Sequence, residues 1–182
     1  MDAKINIVAI LKDKPQGTKL YSPLFGYVNF SRIITECVEV LHHSTSTTFY
    51  NDATYMNYKE AEPLLFPSKE MRDWSKFSWK KGDVLISNDG KKEVFFNGFT
   101  DDTYALFKAK HGFEVLSNGN TIYIANEDGI ATSDYTLEDK DVAQTYINSI
   151  EERLGGKLNR ETLEVEKPKK KPKKKPVFEL GN

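Results

Sequence analysis

One cysteine, three histidines and no long apolar stretch narrow the possibilities before any pattern is sought. With Cys37 alone no internal disulfide can form, and small secreted domains usually depend on a disulfide framework. No apolar run approaches the roughly 18 residues that a membrane span needs. Met1 to Ala9 holds Asp2 and Lys4 but lacks an apolar h-region followed by a small-residue cleavage site. Together these absences predict a cytosolic (cytoplasmic) protein. A glycine-rich phosphate loop and a Gly-x-Ser-x-Gly elbow are also missing, so two common signatures of catalysis are excluded.

What is present is a globular composition with an unusual end. Hydrophobic residues make up 38% and aromatics 12%, enough to bury a core, while 29% charged residues imply a well solvated surface. At 182 residues the chain suits one composite domain or two small ones. The net charge of -1 conceals an asymmetry. Seven of the 26 basic residues are Lys167, Lys169, Lys170, Lys171, Lys173, Lys174 and Lys175, which leaves 19 basic against 26 acidic residues in the first 166, or -7.

Periodicity predicts a mainly β chain with some helix, an α+β arrangement. Ile5 to Leu11 forms a short helix capped by Asn6 and stopped by Pro15 and Gly17. From Thr18 the period becomes two, with strands at Thr18–Ser22, Tyr27–Ile34, Glu36–Leu41, Thr47–Tyr50 and Glu62–Phe66, the last an edge strand because Pro63 has no N–H. Pro67 to Lys81 is a connector in which Ser68 caps one helical turn. Strands restart at Asp83–Ser87 and Glu93–Phe96, around an Asp89-Gly90 pair suited to a type I′ turn. Thr103–Ala109, Phe113–Ser117 and Thr121–Ala125 complete a second set, dense enough to suggest a small barrel or curled sheet. A helix from about Leu137 to Leu154 follows, with Thr136 and Asp139 as a capping box, a buried stripe of Ala143, Ile147, Ile150 and Leu154, and Gly155-Gly156 as its stop. Leu158 to Val165 offers a hairpin.

The expected organisation is two tandem small five-stranded curled sheets or barrels, a C-terminal helix plus hairpin, and a disordered lysine-proline tail. Its boundaries are 1–67 for the N-terminal helix and first β module, 68–81 for the connector, and 82–132 for the second module. Helix and hairpin take 133–166, and the tail 167–182. Gly17-Thr-Lys-Leu20-Tyr-Ser22 aligns with Gly82-Asp-Val-Leu85-Ile-Ser87 at an offset of 65 residues. Two related modules and two unrelated adjacent sheets both accommodate this similarity.

The segments GTKLYSPLFG (Gly17 to Gly26), LLFPSKEMRDWSKF (Leu64 to Phe77) and KKGDVLIS (Lys80 to Ser87) resemble an uncharacterised family of short proteins from gut anaerobes and their phages. The resemblance covers most of Ile5 to Val165. It implies strings of small β modules followed by a helix-and-hairpin unit and an accessory role in a mobile element. It carries over no catalytic residue, and the tail lies outside it.

Each candidate for chemistry has an ordinary alternative. His42 and His43 are adjacent on a strand or its end, so their side chains are expected on opposite faces; His111 sits in a turn, and Cys37 with these histidines has no ligand spacing. Asp101-Asp102 and Glu151-Glu152 read as solvated charge, and Ser44 to Thr48 as a flexible or edge-strand run without a positioned base. No catalytic residue, metal site or cofactor is assigned. Phe95, Phe96, Phe99, Tyr104, Phe107, Phe113 and Tyr123 crowd the second module, as core or as a platform for stacking bases. Phe95 and Phe96 must face opposite sides, so one needs a second cover. Trp74, Phe77 and Trp79, interleaved with Arg72, Lys76, Lys80 and Lys81, either form a partner surface or clamp the modules together.

In the tail, Pro168, Pro172 and Pro176 forbid helix and favour an extended segment whose lysines suit diffuse attraction to phosphates or to an acidic partner, the body included. Val177-Phe-Glu-Leu180 beyond it is a docking motif or a frayed end. The expected function is a non-enzymatic binding or adaptor protein whose β modules hold a protein partner. One alternative is nucleic-acid binding, with tail lysines on phosphates and second-module aromatics on bases; the other is an enzyme of unknown type.

Overall fold

The computed structural model of the chain describes residues 4–58, 62–112 and 125–168. Helix α1 (Ile7–Leu11) starts at Asn6, whose side chain accepts a hydrogen bond from the Ala9 N–H at 3.1 Å, and buries Ile7 and Leu11. Strands β1 (Lys19–Ser22), β2 (Gly26–Ile34), β3 (Cys37–His42) and β4 (Thr45–Tyr50) then form an antiparallel meander in the order β1-β2-β3-β4. The expected fifth strand, Glu62–Phe66, contributes only a bridge between Phe66 and Tyr21 on the outer side of β1. That bridge exchanges both backbone hydrogen bonds, at 2.8 and 2.9 Å.

The connector folds differently from the expected Ser68-capped turn. Its helix α2 (Trp74–Phe77) is capped by Asp73, whose carboxylate accepts from the Ser75 and Lys76 N–H groups. Ser68 is instead fully buried, accepting from the Met71 N–H at 2.8 Å and donating to the Thr103 carbonyl.

The second sheet holds β5 (Val84–Ser87), β6 (Glu93–Phe99), β7 (Leu106–His111), β8 (Ala125–Ala131) and β9 (Tyr135–Leu137), ordered β8-β7-β6-β5-β9. Strand β9 replaces the expected first turn of the long helix, because Leu137 pairs with Leu85. Helix α3 (Lys140–Leu154) therefore begins later, with Asp139 itself as N-cap, and ends at Gly155 in the left-handed conformation. The segments Phe113–Ser117 and Thr121–Ile124 lie outside the described residues. At Asn88-Asp89-Gly90 only Gly90 has positive φ, so the expected type I′ turn is not formed; the Gly90 N–H instead bonds the Ser87 carbonyl within a longer loop. Strands β10 (Lys157–Asn159) and β11 (Glu164–Glu166) make the hairpin.

Neither sheet closes or curls into a barrel. The reason lies in how the apolar faces are buried. On the second sheet Leu85, Val94, Phe96, Phe107, Ala109 and Tyr135 pack with Trp79, while Val84 and Phe95 on the opposite face pack with Ile147 and Ile150 of α3 and with Leu158 and Leu163 of the hairpin. Other elements cover both faces, and the sheet gains nothing by closing on itself. Phe95 thereby finds the second cover that its alternation with Phe96 demands, with its ring 5.3 Å from that of Tyr146. The first sheet turns Leu20, Val28, Phe30, Val38, Val40 and Phe49 inward, against α1, Leu65, Met71, Trp74 and Phe77.

The internal similarity extends to geometry. Gly17 and Gly82 both have φ of +90°. The Gly17 N–H bonds the Phe30 carbonyl at 2.7 Å and the Gly82 N–H bonds the Phe96 carbonyl at 2.9 Å. Return bonds run from the Phe30 N–H to Thr18 and from the Phe96 N–H to Asp83, both 2.8 Å. Leu20 pairs with Val28 as Leu85 pairs with Val94, and the Tyr21–Phe66 bridge sits where β5 receives β9 at Ile86–Thr136. The two units share a four-strand meander, to which the second adds β9. They differ in what lies on their outer faces.

Candidate binding face

Along the first sheet every second residue points away from the core, and the register sets these residues side by side. Tyr21 pairs with Tyr27, Lys19 with Asn29, Asn29 with Leu41, and Cys37 with Tyr50. Tyr27 is 45% exposed, Leu41 36% and Tyr50 37%. The corresponding face of the second sheet is buried under α3 and the hairpin. Among the described residues no helix or hairpin covers it on the first sheet.

The chemistry of this face is mixed. Tyr21 and Tyr27 meet edge to face at 5.4 Å, Lys19 Nζ lies 4.5 Å from the Tyr27 ring centroid, and the Arg72 guanidinium lies 5.6 Å from that of Tyr21 and 4.9 Å from that of Phe66. Arg32 Nε donates to Glu39 Oε1 at 3.1 Å, and Ser31 Oγ donates to the same oxygen. Where the second sheet pairs Val84 with Phe95, the first pairs Lys19 with Asn29. A face with polar residues at its centre tolerates water, and tyrosine and arginine are the residue types enriched where proteins meet.

The sequence-based candidates are placed elsewhere. Trp74, Phe77 and Trp79 are 2%, 1% and 4% exposed, so their rings lie in the interior and not on the surface. Trp74 Nε1 donates to the Leu65 carbonyl at 2.9 Å. Phe77 packs edge to face on Tyr104 at 4.8 Å and parallel to Phe99 at 6.3 Å, which ties the connector to the second sheet. Tyr104 Oη donates to the Lys19 carbonyl at 2.8 Å, and Lys76 Nζ donates to the Thr132 carbonyl at 2.9 Å. Among the second-module aromatics, Phe95, Phe96 and Phe107 are buried at 0%, 3% and 0%, so none offers a face to a base. Phe113 and Tyr123 lie outside the described residues.

The adjacent histidines do not diverge as expected. His43 has a φ of +54° in the turn between β3 and β4, which brings its ring centroid within 4.4 Å of that of His42. His111 Nε2 lies 2.6 Å from Glu127 Oε2, on the carboxylate that Lys92 also reaches at 2.9 Å. Among the described residues no three His, Cys, Asp or Glu side chains gather into a group able to hold a metal ion. Nor is any helix there long and apolar enough to cross a membrane.

Of the tail lysines, Lys167 is described and exposed; Lys169, Lys170, Lys171, Lys173, Lys174 and Lys175 lie outside the described residues. The open face was missed because Lys19, Tyr21, Tyr27 and Asn29 look like the solvent side of any antiparallel sheet. Only comparison with the covered second sheet makes it distinctive. Against protein-family models, curated proteins and solved structures alike, the chain shows no match.

Proposed function

We propose that the chain is a non-enzymatic binding or adaptor protein that holds a protein partner on the open face of its first sheet. One observation carries this reading: two sheets that share a four-strand meander, one covered on both faces and the other on one, with tyrosines and cations on the face left open. On the covered sheet an amphipathic helix lays Ala143, Ile147 and Ile150 across the strands, and we take it as the analogy for the partner. The partner segment is accordingly an amphipathic helix whose apolar side meets Tyr21, Tyr27, Leu41 and Tyr50 and whose carboxylates meet Lys19 and Arg72. The mobile-element setting implied by the sequence resemblance makes this an accessory role.

The test is isolation of the native complex and its reconstitution with a Tyr27→Asp/Leu41→Asp double variant. A stoichiometric protein partner that the variant no longer holds supports the reading. Retention of the partner by the variant overturns it, as does turnover of a substrate by the purified chain. A labelled single-stranded oligonucleotide forms the second arm. Binding that weakens and loses salt dependence on removal of Lys167 to Lys175 would favour nucleic-acid attachment through the tail.

A further inference from the structure

The seam between the two sheets opens on one side into a cleft of about 660 Å³, within the size range of small-molecule sites. Helix α1 and the turn after it supply one wall, the connector a second, and β6 the third. Three ammonium groups, Lys14, Lys80 and Lys81, line it together with a single carboxylate, Asp13, which lies 3.5 Å from Lys80. The cleft thus carries a net charge near +2 on a body whose first 166 residues total -7.

Lys14 is the telling member. Its Nζ sits 4.5 Å from the centroid of the buried Phe77 ring. Burial first, and then the like charge of Lys80, hold its pKa below the usual lysine range, with Asp13 only partly opposing them. Asp13 offsets one of the three ammonium charges, and the excess positive charge that remains favours an anion in the cleft. The remaining wall is apolar: Trp79 and Phe96 are in contact, ring centroids 5.6 Å apart, and the half-buried Phe99 ring lies 5.0 Å from Phe96. Strand β6 bulges between Phe96 and Phe99, placing Gly98 at the cleft with a φ of +103°, and bulges of this kind are frequent beside functional sites.

We propose that this cleft binds a small organic phosphate carrying a planar ring, its phosphate held by Lys14, Lys80 and Lys81 and its ring resting on the half-buried Phe99. Lysine is the compact, strongly hydrated point charge suited to a phosphate without bidentate geometry. A phosphate monoester, close to doubly charged at neutral pH, matches the excess charge of the cleft better than a single carboxylate does. This site is independent of the open sheet face, which lies on the other side of the first sheet from the seam residues.

The experiment is calorimetric titration of the full chain with adenosine monophosphate, inorganic phosphate and adenosine at low salt. Adenosine monophosphate is expected to bind at least about tenfold more tightly than either of its halves, since both walls then contribute. A Lys14→Gln/Lys81→Gln double variant is expected to lose at least about tenfold in affinity, while Lys108→Gln, exposed on β7, retains it. No heat with adenosine monophosphate at millimolar concentration overturns the proposal. So does full binding by the double variant, or an equal loss on Lys108→Gln, which would indicate diffuse attraction. If the double variant melts early, Lys81→Gln alone serves, because Lys81 is exposed and its removal leaves the core intact.

Discussion

Gly17 and Gly82 open equivalent strands with the same φ of +90°, yet a Cβ on Gly82 would lie 2.5 Å from the Arg160 carbonyl oxygen, whereas one on Gly17 would meet nothing within 4 Å. The hairpin presses on the second sheet here, with Arg160 Nε donating to the Gly82 carbonyl at 2.9 Å. Among the described residues nothing comparable touches Gly17. The same backbone is thus used once for its conformation alone and once for conformation and close packing.

Alanine scanning separates the two roles. Gly17→Ala is expected to cost about 1 to 2 kcal/mol, the strain of a side chain at positive φ. Gly82→Ala carries that strain plus displacement of the hairpin, roughly 1 to 3 kcal/mol more. Urea denaturation of both variants reads the difference, and equal midpoints would contradict the close approach of Arg160.

Charge reversal of exposure distinguishes the two outer faces. Tyr27→Asp and Leu41→Asp are expected to change stability by less than about 1 kcal/mol, because both side chains already meet solvent. Val84→Asp, at the position equivalent to Lys19, places a carboxylate against Ile147 and Ile150 and should prevent stable folding. Circular dichroism melts of the three variants give the answer directly.

Alkaline pH should loosen the seam and the helix cover together. Burial, helped by Asp102, pushes the Tyr104 phenol up to about 12, and burial does the same for Tyr146. A raised folded pKa means that the neutral form is favoured by folding, so this contribution is complete below pH 10 and disappears between about 10 and 12. Each tyrosine accounts for roughly 2 kcal/mol across that window. Tyr104→Phe keeps the ring contacts with Phe77 and Phe99, loses about 1 kcal/mol with the hydrogen bond to Lys19, and flattens the alkaline slope. A slope unchanged in the Tyr104→Phe/Tyr146→Phe variant would exclude this origin.

Glu93 is expected to oppose folding at neutral pH. Its Oε2 is buried with no hydrogen-bond partner among the described residues, and burial, followed by the charge of Glu138, raises its pKa. The raised value favours the protonated folded form, so stability falls as pH rises out of the carboxylate range. Glu93→Gln should therefore increase stability at pH 7 by less than about 1 kcal/mol, with the gain shrinking in acid. Thermal melts at pH 7 and pH 4 test both parts.

Local chemistry made much of the fold readable. Asn6, Gly155 and the spacing of Ile147 and Ile150 act through neighbouring residues, and each does in the structure what its type and position imply. The leading glycines of GTKLYS and GDVLIS left related modules and unrelated sheets both open; in the structure both take a φ of +90°, a local demand that glycine meets. Which elements cover which sheet was beyond the reach of such reasoning. Tyr135 to Leu137 became a strand only because β5 had an edge to pair with, and Trp74, Phe77 and Trp79 went inside because two sheets stood ready to enclose them. Alternation assigns a residue to one side of a strand, but burial of that side depends on segments distant in the chain. Lys19 and Val84 occupy the same place in the same local geometry, and only the arrival of α3 and the hairpin over one of them decides that one face is core and the other is surface.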